Sequence, residues 1–320
     1  MRRLAALLVA GLLAGCSPAG SGPSPPPERV VEPAPVPAGL ESRCPDPTTD
    51  LRLPEGDLPT GATRVRLCPG PPQLDGQGDQ LEPGIQAVPE LLTTDIDVLV
   101  AAVNDEEDLT EDVECTFDGG PEMTYWFGYP DGDWRAVRLG AYGCHQLTVG
   151  TGRVRLGGTD LATTFVEALT SQRRASTPPD VRTRATCGAF FGTASPSPLP
   201  GHPVELATAV LCRPAGAYRY RQADVTAPLL ARINDDLLAG PAERPRRCVG
   251  AQWTTVEGYS IWGDRHTYVI DGCGGVQAPV GEGLHLAGQE PASDPTHLDR
   301  DLAAAIDRQG YGPVVDSRDE

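Results

Sequence analysis

Residues 63–68 alternate polar and apolar positions (Thr63-Arg64-Val65-Arg66-Leu67-Cys68), the period of two expected of a strand. The period then lengthens. From Pro89 to Val103, Leu91, Leu92, Ile96, Leu99, Val100 and Val103 recur every three or four residues, which predicts a helix opened by the proline. Residues 113–117 return to strand character. Stretches 123–129 and 134–142 predict a hairpin about Pro130-Asp131-Gly132-Asp133, since Asp-Gly tolerates the positive φ of a tight turn. A strand over 154–156 and a helix over 160–173, capped by Asp160, complete the series.

The series then starts again. Residues 206–212 predict a strand, and 226–238 a helix with Leu229, Leu230, Ile233 and Leu237 on its apolar face. Residues 248–255, 259–262, 267–273 and 284–286 read as strands, and 298–309 as a helix bearing Leu302, Ala305 and Ile306. Gly143-Cys144, with Gly150, Gly152 and Gly157 behind it, returns as Gly272-Cys273 with Gly281, Gly283 and Gly288. Each copy predicts β-α-β-β-β-β-α. The expected fold is therefore α+β: two tandem copies, 41–176 and 177–320, of an antiparallel sheet with helices on one face. Ser176-Thr177-Pro178-Pro179 marks the linker.

The cysteines follow the same division, as Cys44, Cys68, Cys115 and Cys144, then Cys187, Cys212, Cys248 and Cys273. An even set in an exported chain implies a disulfide framework, for which about 105 pairings are formally open. Duplication favours pairs within each set. The preferred reading joins sequence neighbours: 44–68, 115–144, 187–212 and 248–273. Each closed loop would restrain the unfolded chain by about 3 kcal/mol. No C-x-x-C pair is present, and no metal site is expected.

The ninth cysteine stands apart. Arg2-Arg3 precedes an apolar run over 4–14, too short to span a bilayer. Leu13-Ala14-Gly15-Cys16 follows and resembles the lipobox of bacterial lipoproteins. The resemblance implies that 1–15 is a removed signal peptide. It also implies that Cys16 carries lipid, palmitate among it, on its thiol and amino group. Residues 16–40, with Pro25-Pro26-Pro27 and Pro33-Ala34-Pro35-Val36-Pro37, then read as a disordered Pro-rich tether. Such a tether is similar to the stalks of surface lipoproteins in high-GC Gram-positive bacteria. The implied location is the extracytoplasmic face of the cell membrane.

Composition removes several function classes. All 26 basic residues are arginine. With no lysine there is no Schiff base, no lysine-bound pyridoxal cofactor, no Walker A loop and no Ser–Lys catalysis. A net charge of −18 disfavours nucleic acid as a partner. No cofactor is expected.

Candidate chemistry is sparse. His145, His202, His266, His285 and His297 form neither H-x-H nor H-E-x-x-H. Gly258-Tyr259-Ser260-Ile261-Trp262-Gly263 is one residue too long for a nucleophile elbow, although Asp264 and His266 lie close by. No catalytic residue is assigned. Asp105-Glu106-Glu107-Asp108, with Glu111, Asp112 and Glu114, could offer hard oxygens to Ca²⁺ or simply be a solvated loop. The best binding lead is aromatic: Tyr125, Phe127 and Tyr129 on one sheet face and Trp126 on the other, with Trp253, Tyr259 and Trp262 in copy two. If helices cover only one face, aromatics on the opposite face would be exposed; the alternative is that the aromatics are core under the helices. The expected function is thus a lipid-anchored envelope protein that binds an unknown protein or cell-wall ligand, without catalysis. The alternative is an envelope hydrolase whose site is assembled from distant residues.

Overall fold

A computed structural model describes residues 39–46, 56–71, 86–110, 115, 122–140, 144–149, 153–187, 199, 204–216, 219–239, 253–270, 275–277, 296–297 and 300–316. Cys16, the tether up to residue 38, Cys248, Cys273, the strand expected over 284–286 and the candidate ligands Glu111, Asp112 and Glu114 lie outside the described residues. The expected tether ends earlier than 40, since Leu40 is buried against the sheet. None of the described helices is long and apolar enough to cross a membrane.

Copy one is a five-stranded antiparallel sheet. Its strands are β1 (Arg64–Pro69), β2 (Glu122–Gly128), β3 (Trp134–Gly140), β4 (Leu147–Val149) and β5 (Arg153–Arg155), in that spatial order. Helices α1 (Ile96–Asn104) and α2 (Gly158–Arg174) cover one face. Strand alternation decides what each face receives. Val65, Leu67, Met123, Tyr125, Phe127, Val137 and Leu139 meet Leu99, Val103, Leu161 and Phe165 in the main core. Phe165 meets Tyr125 edge-on, with ring centroids 5.4 Å apart.

The expected helix over 89–103 starts only at Ile96. Its anticipated first third is extended instead and closes the open edge of β1. Leu92 and Val65 exchange backbone hydrogen bonds of 2.8 and 2.9 Å, while Val88 donates to Leu67. Val88 and Leu92 are fully buried there, so satisfying the strand edge overrides helical periodicity. The expected cap of α2 also moves, from Asp160 to Gly157, whose φ is +87°. Only glycine fits this entry. A Cβ at Gly157 would lie 2.0 Å from the Glu106 carboxylate, and one at Gly158 2.5 Å from the His145 carbonyl. Asp160 instead lies in the first turn, where the helix dipole favours it.

Copy two repeats the order and extends it. Strands β6 (Leu206–Gly216), β8 (Thr254–Ser260), β9 (Arg265–Ile270), β10 (Gly275–Gln277) and β11 (Thr296–His297) correspond to β1 through β5. Helices α3 (Ala227–Leu238) and α4 (Arg300–Asp307) take the places of α1 and α2 in chain order. Two added strands, β7 (Arg219–Asp224) and β12 (Val314–Asp316), lie beyond β6 and make the sheet seven-stranded. The stretch expected as a separate strand over 259–262 is the end of β8 and the turn into β9.

Two further devices recur. Cys44–Cys68 and Cys187–Cys212 occupy matching places, since Cys68 faces Thr124 across the ladder and Cys212 faces Thr255. Cys115–Cys144 is also bonded, so three of the four favoured pairs are present among the described residues. The second device is an asparagine clamp. Asn104 at the end of α1 donates to the Leu58 carbonyl and accepts from the Leu58 N–H, each at 2.9 Å. Asn234 of α3 does the same to Leu206, also at 2.9 Å. The fold is thus α+β, in tandem disulfide-stapled copies. The described residues form one compact unit in which the copies touch.

Candidate functional site

Of the two readings of the copy-one aromatics, exposed binding face or core, the structure shows core on both sides of the sheet. Tyr125, Phe127 and Tyr129 lie in the helix-side core, and Trp126 is buried on the opposite face. The segment carrying Leu40 and Cys44 crosses that second face and is tied to β1 by Cys44–Cys68. It packs against Trp126, Trp134 and Ala136. Arg66 fastens this strap by donating from Nε to the Leu40 carbonyl at 2.6 Å and from Nη2 to that of Glu41 at 2.8 Å. Copy two repeats the arrangement with Ala185 and Cys187 over Val210, Cys212 and Tyr220, with Tyr259 packed alongside. There Arg265 donates to the Thr186 carbonyl at 2.7 Å and to the fully buried Glu257 at 2.9 Å. Trp262 is half-buried under the Arg173 guanidinium, while Trp253 remains 42% exposed. The seven aromatics therefore do not form one binding surface.

The acidic loop after α1 is met by arginines of β5. Arg153 donates to Asp108 at 2.8 Å and holds its carboxyl below the ordinary range. Arg155, almost wholly buried, pairs with Asp57 and donates to the Val103 carbonyl, one of the acceptors left at the end of α1. Among the described residues, no group of three or more His, Cys, Asp or Glu is arranged to hold a metal ion.

The structure does bring Ser260, Asp264 and His266 together, where copy two meets copy one. Arg173, in the last turn of α2, pairs with Glu90 of copy one and, at 2.7 Å, with Asp264 from the β8–β9 turn of copy two. Burial works against the charge of Arg173. Its hydrogen bonds to Glu90 and Asp264 outweigh that and raise its pKa. Gln86 clamps the same turn, donating to the Gly263 carbonyl at 3.3 Å and accepting from the Arg265 N–H at 2.6 Å. His266 is buried beside this cluster, with Nε2 lacking a partner, and burial pushes its pKa down to about 4.

The Ser260 hydroxyl is already committed. It accepts the N–H groups of Trp262 at 3.1 Å and Asp264 at 3.2 Å, and donates to the Asp264 carboxylate at 3.3 Å. Copy one has the same turn without a serine. Tyr129 N–H donates to the Asp133 carbonyl there as Ser260 N–H does to that of Asp264. Gly132 and Gly263 hold φ of +86° and +89° at matching positions. Ser260 and Asp264 are thus members of a duplicated turn. Acylating such a hydroxyl would require breaking that turn, whereas a catalytic serine needs an exposed oxygen bonded to its base.

Comparison with protein-family models, with curated proteins and with solved structures finds no match for this chain. The reading therefore rests on the geometry. What sequence reasoning missed here is the junction itself, because Gln86, Glu90 and Arg173 carry no motif. The clamp did leave a signal: Leu99-Val100-Ala101-Ala102-Val103-Asn104-Asp105 matches Leu229-Leu230-Ala231-Arg232-Ile233-Asn234-Asp235 at four of its positions.

Proposed function

We propose that this chain is an exported protein, anchored by lipid on Cys16 at the extracytoplasmic face of a bacterial cell membrane, that works as a binding or interaction module. The disulfide framework carries this reading. Three bonds staple both straps and the β3–β4 connection of copy one, and such bonds persist in oxidising compartments. The lipobox-like Leu13-Ala14-Gly15-Cys16 supplies the anchor in the same reading. The alternative is an envelope hydrolase with a site assembled from distant residues; for a nucleophile at Ser260 in particular, the commitment of that hydroxyl within the turn counts against it.

Metabolic labelling with an alkyne fatty acid in a bacterial host tests the anchor. Wild type should be labelled and sediment with membranes, and Cys16→Ala should lose both properties. Label retained by Cys16→Ala, or absent from wild type, overturns the reading.

A further inference from the structure

The strands without a counterpart in copy one build the feature that carries a further proposal. Beyond β6, β7 and β12 enclose an open depression of about 570 Å³ lined by Arg213, Pro214, Ala215, Arg221, Tyr311 and Val314. Arg213 of β6 lies directly opposite Arg221 of β7 in the ladder. Cross-strand partners project to one face, and like charges so placed repel. Among the described residues, no acidic residue lines the depression, in a chain whose net charge is −18.

The two guanidiniums are held differently. Arg213 lies 4.1 Å from the Tyr311 ring centroid and donates to Asp307 at 2.9 Å, which fixes its plane at the wall. Arg221 is exposed and makes no ion pair or hydrogen bond within the described residues. A fixed guanidinium facing a free one suits an oxyanion, because each fork matches two oxygens of a phosphate or carboxylate. Such an anion would also relieve the repulsion between them.

We propose that this depression is an anion-binding site for a small phosphate- or carboxylate-bearing ligand. Arg221 supplies the principal contact and Arg213 with Tyr311 the rigid wall. Asp307, three-quarters exposed, competes with the ligand for Arg213. The site rests on the binding-module reading above and gives that reading a ligand chemistry.

Titration of the full mature chain with inorganic phosphate and, separately, citrate, each against chloride at equal ionic strength, tests the site through arginine Nε–H signals in NMR. Saturable shifts at Arg213 and Arg221 are expected, and whichever probe binds more tightly identifies the oxyanion class. Arg221→Gln should weaken binding at least tenfold, Arg221→Lys by less, and Asp307→Asn should tighten it. Arg232→Gln, on α3, should leave it unchanged. Shifts no larger than those with chloride, or equal affinity in Arg221→Gln, overturn the site. That failure leaves lipid labelling at Cys16 intact and so is distinguishable from failure of the anchored reading.

Discussion

Replacing Arg173 by methionine should uncouple the two copies at the cost of several kcal/mol. The change keeps most of the side-chain volume but removes the cation between Glu90 and Asp264. The Asp264 side chain is only 2% exposed, so its carboxylate cannot recover hydration without opening the turn. Stranding one member of a buried pair costs about 3–5 kcal/mol. Glu90, at 23% exposed, regains part of its solvation and adds less. The lost stacking of the guanidinium on Trp262, 5.3 Å from the ring centroid, adds about 0.5–1 kcal/mol. The loss should therefore fall near 3–5 kcal/mol, measured by urea unfolding with tryptophan fluorescence as the probe. Asp264→Asn in the Arg173→Met background should recover much of the loss, since a neutral amide needs no cation beside it. A cost below about 1 kcal/mol, or no recovery in the double variant, would refute the view that this ion cluster joins the copies.

Two other outcomes follow from the same geometry. Asn104→Ala and Asn234→Ala each strip a leucine peptide of two hydrogen bonds, and each should cost about 1–3 kcal/mol in urea unfolding. A neutral result at either position would mean that water replaces the clamp. His266 is neutral in both states at pH 7. As pH falls from about 6.5 to about 4, the unfolded chain takes up a proton that the folded chain refuses, so stability drops by on the order of 3 kcal/mol. His266→Leu should flatten the curve of unfolding free energy over that window, and an unchanged slope would exclude the histidine as its source.

Periodicity located most of the described strands and the four described helices, because those segments bury one stripe or one face. It failed where tertiary pairing decides. Val88 and Leu92 continue the apolar stripe of α1 in sequence, yet they serve the edge of β1, a demand that no local pattern announces. The aromatic alternation was read correctly as to faces: Tyr125 and Phe127 go one way and Trp126 the other. Exposure was not legible, since it depends on a strap that lies far upstream in copy one, at Leu40 and Cys44. The added strand β7 was missed because Arg219, Arg221 and Gln222 give too polar a run to read as a sheet strand, and β12 because three residues are too few to show a period.

The duplicated β-turns show how the copies diverged. A symmetric pair would bury both turns or neither. Here Pro130, Asp131 and Gly132 are exposed, whereas the matching turn of copy two is partly covered, with Asp264 buried on Arg173. The contact is therefore head-to-tail, with a turn of one copy set on the helix end of the other. It follows that the copies do not offer equivalent surfaces around a shared symmetric cleft. Both spend their straps, disulfides and asparagine clamps on stability, and only copy two extends its sheet beyond the first strand. Among the described residues β7 and β12 have no counterpart in copy one, whose sheet meets the needs of the shared fold without them. The arginine pair at their edge is therefore not demanded by the duplicated scaffold, and the proposed anion site could vary while the stapled unit stays intact.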